Sequence, residues 1–131
     1  MLLYNTSFQV IGEKTAGLFV SYVQGTLYPE ILSGGMIRNI RFCRVLAHTE
    51  EDVFVYSLMF DIEGLKELKA WKENVESRVL KGLKKEFGDR VLTFSSTMKE
   101  YNLKGDNLKG EGLKEENLAT KNGNNCKTSY N

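Results

Sequence analysis

Within its first hundred residues the chain alternates between the hydrophobic period of a strand and that of a helix, in an order few folds accommodate. From Leu2 to Val10 the bulky positions Leu2, Tyr4, Thr6, Phe8 and Val10 alternate with Asn5, Ser7 and Gln9. That period of two predicts a strand with one apolar face. From Glu13 to Leu27, Ala16, Phe19, Val20, Val23 and Leu27 recur at helical spacing. Tyr28-Pro29 predicts that the helix is interrupted or restarts there, because proline has no amide to donate, and Ser33-Gly34-Gly35 predicts a stop. Arg38 to Ala47 and Val53 to Ile62 are rich in β-branched and aromatic residues. The polar run 48–52 joins them as a five-residue hairpin loop. Glu63 to Phe87 carries Leu65, Leu68, Trp71, Val75, Val79, Leu83 and Phe87 at steps of three or four, with lysines near its end and Gly88 to close it. Arg90 to Lys99 returns to a strand period.

The order β-α-β-β-α-β is that of a ferredoxin-like α+β domain. Right-handed crossovers then place two helices on one face of a four-stranded antiparallel sheet. The covered face is expected to hold Tyr4, Phe8, Ile40, Phe42, Leu46, Phe54, Tyr56, Leu58, Phe60, Leu92 and Phe94. The open face is expected to hold Asn5, Ser7, Gln9, Cys43, Val45, Ala47, Val53, Val55, Ser57, Met59, Thr93, Ser95 and Thr97. Val45, Val53, Val55 and Met59 are more apolar than a wetted face requires, so the open face predicts a partner, and a second copy is the commonest one.

Of the 131 residues, 41% are hydrophobic and 27% charged, but the bulky apolar ones lie almost entirely before Met98. The expected division is a domain over 1–100 and a low-complexity, flexible tail over 101–131. A net charge of +1 offers no field to steer a polyanion, so no nucleic-acid partner is expected. The start lacks a basic, apolar signal pattern and no run is long enough to span a bilayer, so no membrane is expected and the cytoplasm is. Cys43 and Cys126 form neither a close pair nor a metal-spaced set, and with His48 as the one histidine no metal site and no cofactor are expected.

Four residues are candidates for ligand binding. Arg44 falls by alternation on the apolar face, where a cation must be paired, turned out by a bulge, or used to hold an anionic ligand. In that last role Tyr4 and Tyr56 are expected as its hydrogen-bonding neighbours. His48, at the end of the second strand, is either a general base at a cavity mouth or a solvated loop residue. Trp71 sits at core spacing and is read as packing. The glycine-rich phosphate loops and hydrolase motifs are not found.

The segments YNTSFQV (Tyr4 to Val10), YPE (Tyr28 to Glu30), RVLAH (Arg44 to His48), YSLMFDI (Tyr56 to Ile62) and FGDRVLTF (Phe87 to Phe94) resemble, in the same order, a family of short bacterial proteins known as a domain of unknown function. The resemblance spans about residues 1 to 100 and implies a ferredoxin-like fold. More distantly, the topology is similar to the dimeric α/β-barrel superfamily, which includes small cofactor-independent monooxygenases and muconolactone-isomerase-like enzymes. In the tail, Leu103, Leu108, Leu113 and Leu118 stand five apart and weakly resemble pentapeptide repeats, although Tyr101, Asp106, Glu111 and Glu116 occupy positions that family fills with small residues.

Two readings of function follow. One is a homodimer, joined through the open sheet face, that serves as an interaction or small-ligand module. The other is a cofactor-independent enzyme of the dimeric α/β-barrel type with Tyr4, Arg44, His48 and Tyr56 around one cavity. RNA recognition, which shares the topology, lacks its basic-aromatic pattern here.

Overall fold

A computed structural model describes residues 1–46 and 50–103. β1 (Leu2–Ile11) lies inside a four-stranded sheet of order β2-β3-β1-β4, with β2 (Ile37–Arg44), β3 (Val53–Ile62) and β4 (Val91–Lys99). Every pairing is antiparallel. The two crossovers are helical, so this is the ferredoxin-like βαββαβ arrangement expected from the alternating periods.

The first crossover starts at Gly12, whose φ of 96° opens a helix that β1 could not enter directly. It runs as α1 (Glu13–Tyr22), a π turn (Val23–Leu27) and α2 (Tyr28–Leu32), with no break at Pro29. Of the two outcomes expected at Tyr28-Pro29, the restart is the one observed, since α2 begins at Tyr28. In the widened turn the Tyr28 amide bonds back to the Val23 carbonyl, and Pro29 enters at the first turn of α2, where its missing donor disrupts least. The second crossover has the same construction: α3 (Leu65–Trp71), a π turn (Lys72–Glu76) and α4 (Ser77–Phe87), closed by Gly88 at φ 60°.

Both helical runs lie on one face of the sheet. Phe19, fully buried, is the hub, with ring centroids 5.0 Å from Phe8, 5.4 Å from Tyr56, 6.0 Å from Phe87 and 6.1 Å from Phe42. Burial of a ring this size stabilises the fold by about 1.5–3 kcal/mol before any aromatic pairing is counted. Trp71 packs at 4.8 Å on Phe60, as its helical spacing predicts. The two runs approach closely where the Tyr22 hydroxyl lies over Gly82, a site at which a methyl group would stand 3.1 Å from it.

β2 departs from regular pairing. Asn39 adopts φ 54° and the register shifts between Arg38 and Arg41, so Asn39 and Ile40 together oppose Phe60. The strand ends at Arg44 rather than Ala47, and the connection to β3 is longer than the expected five residues. Asp52, at φ 71°, closes it and accepts a hydrogen bond from the Gly12 amide at 2.9 Å.

The chain divides into two units, Met1–Lys99 and Glu100–Asn131, and all of these elements belong to the first. The leucines 108, 113 and 118 and the expected flexible tail beyond residue 103 lie outside the described residues. Among the described residues no helix is long and apolar enough to cross a membrane.

Candidate functional site

Cross-strand register defines the face that the helices leave bare. In β1, Leu3, Asn5, Ser7 and Gln9 stand opposite Met98, Ser96, Phe94 and Leu92 of β4. On the other side they meet Asp61, Met59, Ser57 and Val55 of β3. The alternation read for the last strand is right, but its orientation is reversed. Leu92 and Phe94 belong to the open face, whereas Thr93, Ser95 and Thr97 share the helix side with Phe8, Thr6 and Tyr4. Size misled the sequence reading here. At this edge the helix side is completed by Val91 and by small hydroxyl residues, because part of it is polar.

That reversal makes the open face more apolar than expected. Phe94 is 72% exposed, Leu92 50% and Met98 41%, a row of large side chains along an edge strand. At its centre the face is polar: the Ser57 hydroxyl donates to Asn5 Oδ1, and Asn5 Nδ2 donates to Ser7 Oγ at 3.2 Å. A shallow groove of about 480 Å³ lies beside this row, lined by Ser7, Gln9, Val55, Leu92, Thr93 and Phe94. Cys43 is half-buried on the same face, opposite Ser57.

A second polar group lies on the helix side, within the core. The buried Tyr4 hydroxyl donates to Glu76 Oε2, and Thr6 Oγ1 lies 3.0 Å from Ser95 Oγ. Burial, with the neighbouring Glu76 carboxylate adding to it, pushes the Tyr4 phenol up to about 12, so it remains a neutral donor. The Lys72 ammonium stands 5.6 Å from the centre of the Tyr4 ring. Glu76 is the residue that sequence reasoning missed. A regular helical period leaves it beside the apolar stripe, whereas the π turn that ends on it brings Val75 and Glu76 inward together.

Among the described residues, the candidates Tyr4, Arg44 and Tyr56 do not gather around one cavity. Tyr4 pairs with Phe60 and Tyr56 with Phe8, four residues apart along β1, a separation of about 13 Å. Tyr56 is buried and stacked on Phe42, with centroids 5.5 Å apart and planes at 14°. Arg44 pairs with Tyr56 in register but is exposed, its guanidinium 5.1 Å over the Phe54 ring. Glu30 pairs with Arg78 Nε at 3.0 Å. His48 lies outside the described residues. Among the described residues no three histidine, cysteine or acidic side chains gather as a metal-ligand set.

Comparison with known proteins bears on the fold. No curated protein sequence matches the chain. HapK from Hahella chejuensis is similar at TM-score 0.59 and 14% identity, over 88% of this chain and 100% of its own. An ethyl tert-butyl ether D (EthD) family protein from Bacillus halodurans is similar at 0.58 and 14%, over 77% and 100%. A dimeric ferredoxin-like protein from an uncultured marine organism is similar at 0.57 and 15%, over 73% and 91%. At these identities the likeness is one of fold. At the level of sequence, the model of a family described as Domain of unknown function (DUF4286) matches residues 1–101, and the chain belongs to that family.

Proposed function

We propose that the domain works as a homodimer in which two open sheet faces pack together and enclose a small-ligand site over the Asn5, Ser7 and Ser57 row. The observation that carries this reading is the exposed line Leu92, Phe94 and Met98, with Val55 and Met59 across the polar β1 row, on a face that no helix among the described residues covers. Large apolar side chains in a contiguous patch are costly in water, and a second copy of the same face removes them from it. The polar centre then lies between the two sheets, where hydroxyl and amide groups can orient a small molecule within an apolar surround. Two dimeric ferredoxin-like proteins of similar fold, each from an uncultured marine organism, support the assembly by analogy. Because Tyr4, Arg44 and Tyr56 do not converge, we place binding ahead of catalysis.

Native mass spectrometry of the full chain tests the reading. A dimer of the wild type that becomes a folded monomer on Phe94→Asp is expected. A monomeric wild type, or a dimer indifferent to Phe94→Asp, would overturn it.

A further inference from the structure

On the helix side of the sheet, two departures from regular structure face each other. One is the π turn Val23–Leu27; the other is the bulge of edge strand β2 at Asn39 and Ile40. Between them lies an open groove of about 570 Å³ lined by Val23, Gln24, Tyr28, Ile40, Phe42 and Leu58. Irregularities of both kinds re-aim side chains and backbone groups, and both recur where proteins bind ligands.

The chemistry of the groove is specific. Phe42 is held by its stack on Tyr56, and with Ile40, Leu58 and Val23 it gives an apolar lining. Among the described residues no charged side chain lines the groove. Its polar groups are at the rim, where Gln24 and the 42%-exposed Tyr28 stand one turn apart. The backbone between them adds an acceptor. In a helix the carbonyl of Gln24 takes its hydrogen bond from residue 28, or from residue 29 in a wide turn. Here the Tyr28 amide is given to Val23, and residue 29 is proline. Among the described residues, then, no helical donor is left for this carbonyl, which points along the helix toward Tyr28.

We propose that this groove is a binding site for a small neutral aromatic molecule bearing one N–H or O–H donor, with the ring on Phe42 and the donor on the Gln24 carbonyl. The absence of lining charge disfavours ions, and the aromatic ring of Phe42 favours a planar ring as its partner. The site is complete within one protomer and lies on the face opposite the one proposed to pair, so either reading stands if the other fails.

The test uses the full chain, labelled with ¹⁵N and titrated with indole and, separately, with 1-methylindole, which has the same ring but no donor. Saturable indole shifts at the amides of Gln24, Tyr28 and Phe42 are expected, about tenfold tighter than for 1-methylindole, the ratio of one hydrogen bond. Pro29→Ala supplies residue 29 with an amide that can close on the carbonyls of Gln24 and Gly25, and should erase most of that ratio. Gln24→Trp should fill the groove and abolish the shifts. Both substitutions are at exposed helical positions that tolerate the new residue. Absence of saturable shifts at these amides, equal affinity for the two probes, or a ratio unchanged by Pro29→Ala would each overturn the proposal.

Discussion

The Tyr4 hydroxyl of β1 donates to the Glu76 carboxylate of the second π turn, a buried pair 72 residues apart in sequence. A carboxylate in this position depends on its donor, and removing the donor alone leaves the acceptor desolvated and unpaired. Tyr4→Phe is therefore expected to destabilise the fold by about 1–3 kcal/mol. Glu76→Leu removes the need for the donor, so the double variant should be more stable than Tyr4→Phe alone. Urea unfolding of the four proteins as a double-mutant cycle gives the coupling directly. A coupling near zero would show that the two groups do not depend on each other.

The same pair makes stability sensitive to alkali. Burial first, and the Glu76 hydrogen bond second, raise Tyr4 in the folded state from 10.0 to about 12. A phenol raised on folding contributes stability that is fully present below its unfolded value and is lost as pH rises through its folded value. The window is thus pH 10 to 12, and the contribution is about 2–3 kcal/mol at most. Tyr22 is raised as well, by burial and then by Glu30 and Glu86, and works in the same direction. Unfolding measured from pH 8 to 12 should show a steeper alkaline loss in the wild type than in Tyr4→Phe. Parallel curves would count against the assignment.

What the sequence disclosed, and what it concealed, divides along one line. Regular periodicity exposed the six-element order, because alternation in β1 and β3 and the steps through Trp71, Val75, Val79 and Leu83 are direct images of the buried faces. Irregular backbone was hidden, because each irregularity displaces a residue by a fraction of a period. The π turns brought Glu76 inward and carried the first helical run past Pro29, and the bulge doubled Asn39 with Ile40. In β4 the alternation was visible but its direction was not. Nothing local distinguishes Leu92 and Phe94 facing helices from the same residues facing a partner; only the pairing Phe8 to Thr93 decides it.

Two glycines on the helix side predict opposite outcomes for one substitution. At Gly34 a new Cβ would stand 2.9 Å from Val75 Cγ2 and 3.4 Å from Trp71 Cδ1, both in the packed core. Gly34→Ala should therefore cost about 1–3 kcal/mol through overpacking. At Gly17, exposed in the interior of α1, nothing lies within 4 Å. Gly17→Ala should stabilise by about 0.5–1 kcal/mol, since alanine loses less backbone freedom in a helix. Thermal unfolding of the two variants distinguishes a fitted contact from mere helix propensity.

The orientation of β4 and the pairing of open faces together make a claim about concentration. If Phe94 were a core residue, its truncation would cost about 3–5 kcal/mol at any protein concentration. On an open face it contributes little to the isolated protomer and a great deal to the dimer. Coupling folding to association makes the midpoint of thermal unfolding rise with protein concentration. The wild-type Tm should therefore climb across a hundredfold concentration range, while Phe94→Asp should show a flat, lower Tm that converges on the wild type at the dilute end. Val91→Ala, which truncates the buried neighbour, should lower Tm by the same amount throughout the range, because its cost of roughly 1–2 kcal/mol belongs to the protomer. A Phe94→Asp chain that fails to fold even at high dilution would return Phe94 to the core and reverse the strand.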